Sequence, residues 1–257
     1  KKKADLMAEQ RGIFVEGCKK TNNIAEKLAS ELFDKIETFA GYGFNKSHSV
    51  AYAFVAYQTA YLKSNFPAEF MCALLTSESG NLDKIALYVE ECRRLGVEVL
   101  PPDINKSVTS FTVDKNGNIV FGLGAIKNVG EGPTKGIVAE REANGPFKDI
   151  FDLCARLDNR VCNRRLLESL NKAGAFLNTG WNRHQVDKSL DQALDAGQSA
   201  ARDRAAGQFS LFDMADVADA MESQHTKPDV PEWPEHDLLA FEKEMLGLYI
   251  SSHPLAR

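Results

Sequence analysis

The chain has 257 residues, 44% of them hydrophobic and 26% charged, with a formal net charge of −5. That composition supports a real core in one large domain or two to three small ones, and no apolar run approaches the roughly 20 residues that a bilayer span needs. Lys1, Lys2 and Lys3 precede no apolar signal region, and the five scattered cysteines include no CxxC pair, which excludes a disulfide framework and a zinc site and points to reduced thiols in a cytoplasmic protein.

Charge is unevenly spread. Residues 1–100 hold 13 basic and 13 acidic side chains, residues 101–184 hold 12 and 9, and residues 185–257 hold 6 and 14. Acidity gathers in the last third, and only the middle segment, net +3, favours a phosphate-bearing partner.

In chain order, residues 4–18 predict a short helix and loop, with Gly12 and Gly17 as breaks, and Asn23 predicts the cap of an amphipathic helix. Ala25, Leu28, Ala29, Leu32, Phe33, Ile36 and Ala40 supply its apolar stripe, and Gly41 and Gly43 supply the turn after it. Ser47 then reads as the N-cap of a helix running to about Asn65. That helix is apolar nearly all round, so burial is expected, with Tyr57 and Tyr61 as core residues. Lys46 and His48 flank its start, where unpaired N–H groups favour an anion. Further helices are expected over 68–77, after the break at Phe66 and Pro67, and over 82–95, stopped by Gly96.

Residues 97–100 change to strand composition. Asn116-Gly117 between Phe111-Thr112-Val113 and Ile119-Val120-Phe121 predicts a β-hairpin. Next comes Val129-Gly130-Glu131-Gly132-Pro133-Thr134-Lys135, in which two glycines let backbone N–H groups approach a phosphate and Pro133 is placed at the first position of the helix that follows. A helix over 163–170 and a turn at Ala173-Gly174-Ala175-Phe176 form a degenerate second copy, which packs against the first or binds phosphate, with Arg164 and Arg165 solvated or in contact. A helix over 186–196 or beyond is followed by flexible chain to about Pro234, and residues 237–250 read as helix, then strand. Within the linker Gln208, Phe209, Ser210, Leu211 and Phe212 form an apolar pentapeptide in acidic surroundings, the mark of a docking peptide. The expected fold is mainly α with a small β element. A multi-helix region covers 1–100, the β element and glycine hairpins 101–184, a partly flexible linker 185–234, and the start of a further domain 235–257.

The stretch from Gly41 to Tyr52, with the helix it opens, resembles the fingers of bacterial replicative DNA polymerases of family C. The likeness extends through Pro101-Pro102-Asp103-Ile104-Asn105, Phe121-Gly122-Leu123-Gly124-Ala125-Ile126-Lys127 and Gly247-Leu248-Tyr249. It implies a DNA-directed DNA polymerase that adds deoxynucleotides to a primer 3′ end with two Mg²⁺ ions held by palm aspartates. The Pro-Asp-x-Asp-x-Asp run of that palm does not occur in this sequence, so the resemblance implies an internal piece of a longer protein that is inactive alone and holds no catalytic residue, metal or cofactor of its own. Asn45, Lys46, Ser47, His48 and Tyr52 would face the incoming nucleotide. The 129–141 stretch resembles the helix-hairpin-helix motif, which makes Lys127, Gly130, Gly132, Thr134 and Lys135 the candidate contacts to primer-template DNA. Residues 208–212 are similar to the Gln-x-x-Leu-Phe peptides that dock on the sliding clamp, and other replicase subunits are implied as partners. The alternative is a non-catalytic DNA-binding or scaffold module.

Overall fold

A computed structural model describes residues 4–42, 45–158, 161–205 and 226–252. The chain divides into two compact units, 1–61 and 62–257.

In the first unit α1 (Ala4–Asn22) pairs with α2 (Glu26–Tyr42). Ala29 and Phe33 are their buried residues, with Phe14 and Phe33 ring centroids 5.5 Å apart. Arg11 lies over the Phe33 ring and bonds both Asp34 and Glu37. Two sequence expectations are corrected here. Gly12 and Gly17 do not break α1, because a glycine inside a helix weakens it by only about 1 kcal/mol and leaves its hydrogen bonds possible. Asn23 ends α1 instead of starting α2: its φ is 53°, and the Ile24 N–H returns to the Cys18 carbonyl, 3.2 Å away. Asparagine tolerates the left-handed region well enough to do this.

The boundary between the units falls within α3 (Lys46–Asn65). Its cap is Asn45, whose Oδ1 accepts from the Ser47 N–H at 2.9 Å and the His48 N–H at 3.4 Å, so Ser47 is the second helical residue and not the cap. Burial of this helix was expected, and the structure differs. None of its described residues is buried, and Tyr52, Phe54, Tyr57 and Tyr61 are 50–69% exposed. An apolar sequence states a helix's demand for cover, and among the described residues no element meets that demand.

The second unit holds the core. Here α4 (Pro67–Ser77) packs on α5 (Leu82–Arg94), burying Met71, Leu75, Ile85 and Val89. The Asn81 side chain caps α5, and Gly96, with φ 72°, closes it as expected. A three-stranded sheet follows in the order β1 (Val99–Leu100), β3 (Ile119–Val120), β2 (Thr112–Val113). The β2–β3 pair is the predicted antiparallel hairpin, while β1 runs parallel to β3. Asp114 Oδ1 accepts from the Asn116 and Asn118 N–H groups, which shapes the turn around Gly117.

Four helices complete the unit's body: α6 (Glu131–Asn144), α7 (Ile150–Arg156), α8 (Arg164–Lys172) and α9 (Arg183–Ala205), with α7 packed most extensively on α9. The start of α9 lies ahead of the predicted residue 186. Asn182 and Gln185 form a reciprocal capping box, the Gln185 N–H donating to Asn182 Oδ1 at 2.7 Å and the Asn182 N–H to Gln185 Oε1 at 3.1 Å. Residues 226–234 were expected to be flexible; instead they lie across this helix start. The Arg183 and His184 N–H groups donate to the Glu232 carboxylate, the Asn182 side chain donates to the Val230 carbonyl, and Trp233 stacks on His184.

The last helix, α10 (Glu235–Leu246), is tied down by a buried ion pair. Arg183 and Glu242 are 5% and 2% exposed and 2.9 Å apart. Glu242 also accepts from the Ile250 and Ser251 N–H groups, so the segment after α10 is held by a carboxylate and does not form the expected strand. Residues 208–212 lie outside the described residues.

Candidate nucleic-acid interface

The first glycine hairpin is built on a rigid base. Ile126, Val129 and Ile137 are all at most 2% exposed, and they anchor the turn from both sides. Between the anchors, Asn128 and Gly130 adopt φ values of 68° and 73°. This pair of left-handed residues turns the chain sharply into α6, whose first residue is Glu131. Pro133 is therefore the third helical residue and not the first. The correction changes little, because the first four N–H groups of a helix lack partners within it and proline costs no bond there.

The side chains of the predicted contact set divide. Lys127, Gly130, Gly132 and Lys135 are exposed. Thr134 is fully buried, and its hydroxyl is hydrogen-bonded to the Gly130 and Glu131 carbonyls and to Thr109 Oγ1. It braces the turn from inside. Lys127 is fixed through its backbone, whose N–H donates to the Met245 carbonyl at 3.0 Å, while its side chain faces solvent. Lys135 pairs with Glu131 at 3.1 Å one helical turn away; both are at least 70% exposed, so this pair is weak and readily exchanged for another anion.

Gly132 is informative. Its φ is not in the left-handed region, and a Cβ built there would meet nothing within 4 Å. Neither backbone conformation nor internal packing requires a glycine, yet glycine weakens a helix by about 1 kcal/mol relative to alanine. The missing side chain leaves the start of α6 uncovered at this position.

The second copy is arranged differently. Gly174 has φ 82°, but a Cβ there would lie 2.5 Å from Arg183 Nη2, and Ala173, Ala175 and Phe176 are each 1% exposed. This turn is buried packing. Of the two arginines whose role the sequence left open, Arg164 pairs with Glu168 and Asp191. Arg165 reaches the first hairpin, where Nη2 donates to Asn128 Oδ1 at 2.7 Å; Asn128 Nδ2 in turn meets Ser169 Oγ at 3.4 Å. Sequence reasoning missed Asn128, whose only signal is that asparagine accepts a positive φ.

At α3, Asn45 is committed to capping, and the His48 and Tyr52 rings lie 4.3 Å apart, tilted by 58°, on one face. Lys46 is about 200° of helix rotation from His48, so Lys46 and His48 start from different sides of the helix. All five predicted nucleotide contacts are exposed.

Among the described residues no helix is long and apolar enough to cross a membrane, and no group of three or more His, Cys, Asp or Glu side chains could hold a metal ion. All five cysteines are free; Cys154 and Cys162 sulfurs lie 3.5 Å apart in the core, and burial pushes the Cys92 thiol up to about 11.

Comparison with known proteins agrees with this geometry. Residues 96–186 match the helix-hairpin-helix motif family. The whole chain is 49% identical to DNA polymerase III subunit alpha of Haemophilus influenzae, covering 22% of that protein. Against the Escherichia coli K12 and Pseudomonas aeruginosa proteins of the same name, identity is 46% and 44%, with 99% of this chain aligned. The chain spans about a fifth of the length of these relatives. From end to end the chain is thus similar to one segment of DNA polymerase III subunit alpha, and its own residues 96–186 match a helix-hairpin-helix motif.

Proposed function

We propose that this chain grips duplex DNA through its sugar-phosphate backbone, as the hairpin-bearing segment of a bacterial replicative polymerase that extends primer 3′ ends with deoxynucleotides. The observation that carries the proposal is the open start of α6. Gly130 turns the chain, Gly132 leaves the helix N-terminus uncovered, and Lys127 stands beside it. Such a site suits a phosphate diester and carries no base information. In the same reading Lys46, Ser47 and His48, with Tyr52, face the incoming triphosphate across the start of α3. Residues 208–212 dock on the sliding clamp, with Leu211 and Phe212 as apolar anchors, and the metal-dependent chemistry of a cytoplasmic replicase belongs to aspartates outside this sequence. Support for the clamp peptide is its sequence alone.

The test is a salt titration of duplex binding. Lys127→Ala should weaken every duplex about equally and lower the slope of log K against log salt by about 1, the share of one phosphate contact. Loss confined to one sequence, or unchanged binding, would overturn the proposal. For the clamp peptide, calorimetry with purified clamp should show binding lost when Leu211 and Phe212 are both replaced by alanine.

A further inference from the structure

We propose that Arg165, carried by the second hairpin copy, is a phosphate-contacting cation of the first, so that both copies build one site for a nucleic-acid backbone phosphate. The proposal rests on the duplex-binding reading given above and adds a residue to it. Three observations carry it.

The first is place. Arg165 is exposed at the start of α8, and its bond to Asn128 Oδ1 puts a guanidinium two residues before Gly130, on the open hairpin. The second is charge. Several cations of this unit face carboxylates: Arg164 meets Glu168 and Asp191, Arg156 meets Glu140 and Asp152, Lys172 meets Glu244, and Lys135 meets Glu131, while Arg141, Arg204 and Lys227 are taken up by backbone carbonyls. Arg165 instead meets a neutral amide and, among the described residues, makes no ion pair. Among the described residues one of its five N–H donors is used, and its positive charge is available to an anion from outside. The third is orientation. The contact between Asn128 Nδ2 and Ser169 Oγ, at 3.4 Å, favours the amide orientation that turns Oδ1 towards Arg165. A guanidinium held in one pose loses less freedom on binding a phosphate and can engage it through two parallel bonds. The same partners explain why Asn128, with φ 68°, is held firmly at the root of the hairpin.

The experiment uses the 257-residue chain and three unrelated 20-base-pair duplexes, titrated at several salt concentrations. Arg165→Ala should weaken all three about tenfold near 0.1 M salt and lower the salt slope by about 1. Arg165→Gln keeps a polar, exposed side chain but no charge, so it should lose the same slope while melting near the parent temperature. Arg164→Ala should change neither affinity nor slope. If Arg165→Gln binds like the parent while Lys127→Ala is weakened, Arg165 is a strut and the proposal fails while the hairpin reading stands. If neither variant is weakened, both fail. Affinity lost at unchanged slope would also overturn it, since that is the mark of a displaced hairpin and not of a missing phosphate contact.

Discussion

Two glycine turns in the 62–257 unit use the same backbone device and differ in what lies over them. At the first, Gly130 takes φ 73° and Gly132 is the second residue of α6, and a Cβ at either would meet nothing within 4 Å. At the second, Gly174 takes φ 82° under the Arg183 side chain, between buried alanines. One turn is sealed by a residue of its own chain, and the other is open. A glycine in the sequence thus marks where the backbone bends. The space above it decides whether the bend serves packing or binding.

The comparison can be broken by a series of alanine substitutions followed by urea unfolding. Gly174→Ala should have the largest effect, a loss of about 3–5 kcal/mol. The new Cβ must displace Arg183, which is 5% exposed and paired with Glu242, and a buried charge would be left without its partner. Gly130→Ala should cost less, about 1–2 kcal/mol, since only left-handed strain is added and no neighbour is in the way. Gly132→Ala should cost nothing and even stabilise α6 by up to about 1 kcal/mol, while weakening duplex binding. Equal stability losses at Gly174 and Gly132 would show that the two turns are not different in kind. Unchanged duplex affinity in Gly132→Ala would remove the functional half of the contrast.

Local chemistry was legible in the sequence wherever one residue type has one role. Asn116-Gly117 gave the hairpin and Gly96 the end of α5. It was ambiguous where one residue type has two roles. Asparagine caps a helix start and also tolerates the left-handed end, so Asn23 was assigned to the wrong helix. Near α3, Asn45 and Ser47 both qualify as caps, and the choice went to the oxygen that reaches two N–H groups.

Long-range effects were not legible. Pro231, Glu232, Trp233 and Pro234 have a linker's composition, yet Glu232 satisfies the N–H groups of a helix that begins 49 residues earlier. The apolar character of α3 showed that its surface calls for cover but named no partner. At the candidate site, the glycines and lysines were read from the motif. That Thr134 faces inward, and that Asn128 and Arg165 belong to the hairpin, depends on contacts with residues up to 41 positions away.

The bond from the Lys127 N–H to the Met245 carbonyl joins positions 118 residues apart. At a bacterial synthesis rate of about 5–20 residues per second, roughly 6–24 s pass between the emergence of its two ends. Throughout that interval the hairpin exists without the helix end that holds its lysine, and Arg183 waits for Glu242. Contacts of such sequence separation close late, because the loop between them must be ordered first. The nascent chain therefore gains its firm hold on the Lys127 backbone only as α10 docks, after most of the unit's chain has been made.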